Sequence, residues 1–481
     1  MVGQINGISF PAPRITSNSA PRINSPAAAA PQPSTRVTLS GASDEINAIY
    51  NISAQKLRTS QGSGSSQIEL QMNANLKQPV SGAFQGLGKA LLLQLKDNPQ
   101  GFSSAVTSPQ AAGLASSDDK SSAVALDIVT QSGVKVSVTL SRQQGGLVAE
   151  VKTSGGELTE NETAAIAKLG DAFQSTLDGL SAKTPAVNID GLTGFDTTLL
   201  KSVDLKTDMR QGNESIQTLN YQSDLTQRAL SYQDSRLSFQ LTTDLTHPEL
   251  LGTKGQQLQA LAAYDKQLNA ASYRGQGNNE LMATFKSAFH GLNSHYGSNE
   301  IEPSQKSISM TPVNQARSYL SGLADFSASF KQAGVSSNPF KQGEKDSFSY
   351  DFSQTSRVSD GDGGDLGKIV QSTHAHLQAS YHQALDPSIP LALTMLSSSQ
   401  NYTYHQIDDD STSETTLDFK KGNLASVTTS QATHNREAVK KYSASHLVSD
   451  ITTPYDDEQT QKTQLIIDSI HVKPRSQTQR Q

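Results

Sequence analysis

Apolar residues along this chain change their period repeatedly, and each change marks an element. Ile68, Leu70, Met72 and Leu76 fall on even steps, which predicts a half-buried strand. Behind Pro79, the residues Val80, Phe84, Leu87, Leu91 and Leu95 step by four, three, four and four, the spacing of an amphipathic helix that Asn98-Pro99 ends. Three alternating runs follow: Val124/Leu126/Ile128, Val134/Val136/Val138/Leu140 and Leu147/Ala149/Val151. Turns at Ser132-Gly133 and Gly145-Gly146 separate them into an antiparallel meander. Thr159 and Glu162 form a capping-box pattern ahead of a helix carrying Ile166, Leu169, Phe173, Leu177 and Leu180 on one face.

Alternation resumes around Val203/Leu205, Leu219/Tyr221, Leu230/Tyr232 and Leu237/Phe239/Leu241. Two helices are expected next, one through Leu258, Leu261 and Leu268, the other through Leu281, Phe285, Phe289 and Leu292. The last third predicts strands at Phe326/Ala328/Phe330 and Phe348/Tyr350/Phe352 and a helix from about Asp365 to Leu385. Short strands follow at Tyr402/Tyr404, Leu417/Phe419 and Leu424/Val427, with a turn at Lys421-Gly422-Asn423. The pattern reads as an α+β chain of antiparallel meanders packed with amphipathic helices, in two or three units behind a disordered N-terminal leader. The expected boundaries are a leader at 1–62, α+β units at 63–200 and 201–300, a linker at 301–315, a C-terminal unit at 316–460 and a strand with a polar tail at 461–481.

The leader changes the picture most. It holds Pro11, Pro13, Pro21, Pro26, Pro31 and Pro33, an alanine run from Ala27 to Ala30, and no acidic residue before Asp44. Such a segment buries too little apolar surface to fold alone. Across all 481 residues there is no cysteine, which excludes disulfides, thiolate metal sites and cysteine nucleophiles. A net charge of −6 argues against nucleic acid as a partner, and a protein partner is expected instead. The strongest apolar cluster, Ala90 to Leu93, gives way to Gln94 and Lys96, so no membrane span is expected. No basic-then-apolar signal opens the chain, which points to a cytoplasmic protein or one exported without a cleavable signal peptide. Arg36-Val37-Thr38-Leu39-Ser40 is similar to short motifs of flagellum-linked bacterial proteins, and that resemblance implies an export substrate.

Catalytic fingerprints fail on spacing. Gly82, Gly86, Gly88 and Lys89 do not make a phosphate loop, because Ala83 and Ala90 occupy a glycine and a hydroxyl position; close helix packing is the better account. Gly361-Asp362-Gly363 has Leu366 where a dinucleotide fingerprint needs its third glycine. Neither Gly-x-Ser-x-Gly nor His-Glu-x-x-His occurs. The candidate ion site joins Asp360, Asp362 and Asp365, hard ligands on a glycine-rich loop suited to Ca²⁺, with His374 and His376, which suit Zn²⁺. On a helix, His374, His376 and His382 would point in different directions, so surface histidines are the plainer reading. Asp408-Asp409-Asp410 reads as a solvated loop. The functional expectation is a non-enzymatic interaction or exported protein, against a metal-binding or hydrolytic enzyme centred on the C-terminal third.

Overall fold

The computed structural model describes residues 66–107, 122–143, 146–297, 317–361, 365–386 and 388–464; the leader and the whole expected linker lie outside them. The described residues open with helices α1 (Ser66–Asn75) and α2 (Leu87–Gln94), then strands β1 (Gly101–Thr107), β2 (Ser122–Thr130), β3 (Lys135–Gln143) and β4 (Gly146–Ser154). Helices α3 (Glu160–Lys168), α4 (Gly170–Ser181) and α5 (Asp190–Thr193) lead to β5 (Leu200–Gln211), β6 (Glu214–Ser223), β7 (Gln227–Asp234) and β8 (Leu237–Asp244). After α6 (Lys254–Arg274) and α7 (Asn279–Leu292) come β9 (Asp325–Gln332), β10 (Ser347–Asp360), β11 (Leu366–Ala384), β12 (Tyr402–Lys420), β13 (Asn423–Ser443) and β14 (His446–Gln464).

These strands form one antiparallel sheet of 14 in the order β1-β4-β3-β2-β5-β6-β7-β8-β9-β10-β11-β12-β13-β14. This corrects the α+β expectation of separate meander-and-helix units. Sequential strands pair with their chain neighbours almost throughout, so the alternation read as several small sheets continues from one hairpin into the next.

Two compact units divide the chain by their internal contacts. The first comprises residues 1–245, 263–296 and 330–333. Its strands bury one face through Leu126, Ile128, Val138, Leu140, Leu205 and Tyr221. Its helices cover a chain of aromatic rings: Tyr232 stacks on Phe239 at 5.2 Å, Phe239 meets Phe285 edge-on at 5.5 Å, and Phe285 meets Phe330 at 5.2 Å. The expected capping box is present, with Glu162 N–H donating to Thr159 Oγ1 and Thr159 N–H to Glu162 Oε2 at 2.9 Å. Burial opposes charge on Glu162, yet Ser132 and Thr159 donate to its carboxylate and hold it down to about 2.

Residues 68–76 are not a strand. Ile68, Met72 and Asn75 are buried at helical spacing, while Leu70, which the strand reading turned inward, is exposed on α1. The expected close helix packing does occur at Gly88, where a Cβ atom would stand 2.9 Å from the Phe173 ring and 3.3 Å from the Gln174 backbone nitrogen.

The second unit comprises residues 246–262, 297–329 and 334–481. One apolar cluster joins Leu250, Leu320, Ile369, Leu417, Phe419, Leu424 and Val427; a second joins Tyr402, Tyr404 and Tyr442. Between them the strands run on in polar sequence. No residue from Asp408 to Thr416 of β12, from Thr428 to Lys441 of β13, or along β14 as far as Thr463 is buried.

Three readings of this region need correction. Residues 365–385 form strand β11 instead of a helix: Ile369, Gln371, Ala375, Leu377 and Ala379 are buried on one face, and cross-strand pairing overrides their modest β-propensity. The short strands expected at 402–404 and 417–419 are the two ends of β12. Asp408 to Asp410 lie inside it, paired on both sides, not in a loop.

Gly88→Val is expected to destabilise the protein by about 2–3 kcal/mol, read as a lower urea midpoint at unchanged slope, because a branched side chain there collides with both Phe173 and backbone.

Candidate functional site

The candidate ligands do not gather at one point. Asp360 ends β10, Asp365 precedes β11, and Asp362 lies outside the described residues. His374 is nine residues beyond Asp365 along an extended strand, roughly 30 Å at the usual rise. Among the described residues no group of three or more His, Asp or Glu side chains is placed to hold a metal ion.

What β11 does instead follows from its period of two. His374 and His376 share a face, and each reaches a carboxylate of β12: His374 Nε2 lies 2.7 Å from Asp410 Oδ2, and His376 Nε2 lies 2.7 Å from Asp408 Oδ1. The strand register sets Asp351, His376, Asp410, His434 and Asp456 directly opposite one another across five strands, acid and imidazole alternating. His434 Nδ1 lies 2.9 Å from Asp456 Oδ1. Donation to the Asp410 carboxylate raises the His374 pKa against the opposing effect of burial, and accepting that bond lowers the pKa of Asp410.

His382 sits on the same strand in another environment. Its imidazole is wholly shielded, with Nδ1 2.7 Å from Asp346 Oδ1 and Nε2 3.3 Å from Glu344 Oε2. Tyr402 and Tyr442 donate their phenolic protons to the Glu344 carboxylate at 2.6 and 2.9 Å, and the Lys341 ammonium lies 3.2 Å from the centre of the Tyr442 ring. Burial first, then the bonds to Glu344, push the phenols of Tyr402 and Tyr442 well above the ordinary tyrosine range. Asn338, also buried, donates to Tyr402 Oη and to Gln400. The group fastens the chain around residues 338–346 onto the sheet with charge-assisted bonds. Sequence reading missed this cluster; alternating Tyr402/Tyr404 beside a period-two His382 was the available signal.

In the first unit, two features stand apart from any expected site. Arg228 is buried and donates to the carbonyls of Leu292, at 2.8 Å, and Ser294, which places a cation at the C-terminal end of α7. Asp204 lies opposite Asp127 in the β2–β5 register. Burial and then the like charge of Asp127 push the Asp204 carboxyl up to about 6. No protein-family model, no curated protein and no solved structure matches this chain.

Two outcomes follow. A carboxyl whose folded pKa is raised favours the folded state only once protonated, so Asp204→Asn should stabilise the protein at pH 7 by about 1–2 kcal/mol and have little effect near pH 4 in denaturant titrations. Glu344→Leu should cost about 2–3 kcal/mol and Tyr402→Phe about 0.5–1.5 kcal/mol by the same measurement, since the first strands several buried donors and the second removes one bond.

Proposed function

We propose that this chain is a non-enzymatic interaction protein, exported through a route that recognises its leader rather than an apolar signal, and that the sheet surface of β12–β14 is where its partner binds. One observation carries the reading: strands of 19 to 21 residues extend with both faces accessible over most of their length. An antiparallel sheet ordinarily buries at least one face to offset the entropy of ordering its strands. A broad polar sheet that is covered on neither side suits a protein that presents backbone-rigid side chains to another molecule.

The rival reading, a metal-binding or hydrolytic enzyme in the C-terminal third, draws support from His382 between two carboxylates. That imidazole is shielded by its own neighbours, which suits a structural fastening better than a group that must meet substrate. The leader supports export through its composition alone.

A photo-crosslinking residue placed at Thr433 or Glu458 of the full chain should yield a discrete adduct in the cells that make it, while one at exposed Asp178 on α4 should not. Absence of adducts at both strand positions removes the interaction reading. A reporter fused behind residues 1–62 should leave cells that possess a working export channel, and its retention overturns export.

A further inference from the structure

Strand β14 is held to the sheet by less than any of its neighbours. None of its side chains described from His446 to Thr463 is buried, so no apolar surface secures it. Pro454, opposite Arg436, has no N–H to give to any ladder. The β13–β14 turn has two central residues, Ala444 and Ser445, between the paired Ser443 and His446, and both have positive φ, 45° and 69°. A two-residue hairpin turn of this hand ordinarily uses glycine or asparagine; the β12–β13 turn has Gly422 at one of its two positions, beside Lys421 at 50°. L-residues with a Cβ occupy this region at a cost. Contacts from another segment brace the turn: Ala444 N–H donates to Asn401 Oδ1 at 2.9 Å and Ser445 N–H to Gln400 O at 3.2 Å.

Besides the backbone ladder, His434 makes a close polar contact with Asp456 across the two strands, and Lys440 stands opposite Asp450 further along. The charged groups sharing that face around His434 are Asp410 and Asp408 on β12, Arg436 on its own strand, and Asp456 and Glu458 on β14. His434 thus sits among acids, with Arg436 set opposite Asp408. An imidazolium there faces an acid on each neighbouring strand, Asp410 and Asp456, whereas a neutral imidazole leaves the two facing across β13, Asp410 still bonded to His374.

We infer that β14 is a releasable edge strand, latched to β13 through His434 and Asp456 at mildly acidic pH and unlatched as the solution turns alkaline. The inference does not depend on the interaction reading. The direction follows from linkage. Donation to the Asp456 carboxylate raises the His434 pKa, so its contribution is complete below the unfolded value of about 6.5 and is lost as pH rises through the raised folded value. His434 is about half exposed, so solvent screening keeps the effect small.

Amide hydrogen exchange of the full chain, corrected for intrinsic rates, tests this at pH 5.5 and 8. Relative to β2–β4, protection of β14 should fall about two- to fivefold on going to the higher pH. His434→Gln should abolish that fall, and Ser445→Gly should raise β14 protection about fivefold or more at both pH values by relieving the turn. An undiminished pH response in His434→Gln overturns the latch. Protection of β14 equal to that of β12, and unmoved by Ser445→Gly, overturns the releasable strand.

Discussion

Backbone pairing between neighbouring antiparallel strands carries the second unit of this protein. In most domains the ladder of N–H and C=O bonds is backed by a layer of apolar side chains, and the two share the cost of ordering the chain. Here apolar clusters secure the ends of the hairpins, around Ile369/Leu417/Val427 and around Tyr402/Tyr442, while the polar spans between them depend on the ladder and on cross-strand pairs. The arrangement requires long strands in strict register. It also requires side chains that tolerate water on both faces, which is why polar and charged residues fill most of β12 and β13 between the apolar clusters.

The first unit follows the ordinary rule. Its strands alternate cleanly between buried Leu, Ile and Val and solvated partners, and its helices cover them with Phe173, Phe285 and Phe289. That is why sequence patterning located β2 to β8, the Thr159 capping box and helices α6 and α7, and read α3 and α4 as a single helix. A buried face imprints its period on the sequence, and the period can be read back.

The second unit was less legible for the same physical reason. Where neither face is buried, no hydrophobic period exists, so Asp408 to Asp410 read as a loop and the two apolar ends of β12 as separate strands. The histidines of β11 suffered most: at helical spacing they scatter, whereas at period two His374 and His376 stand side by side, each against a carboxylate. The Asp360–Asp365 loop was found as a composition, but nothing in sequence shows that extended backbone carries it far from those histidines. Shielding of His382 by Tyr402 and Tyr404 depends on strand register, which a single sequence conceals.

The three consecutive aspartates of β12 acquire a further meaning from their alternation. Asp408 and Asp410 face the histidines of β11 while Asp409 points away, opposite Leu377. Sliding β12 by one residue would turn both outer acids from their imidazoles and replace them with a single one. Between Asp408 and Thr416, where β12 itself buries no side chain, this charge pattern works as a key cut for one lock.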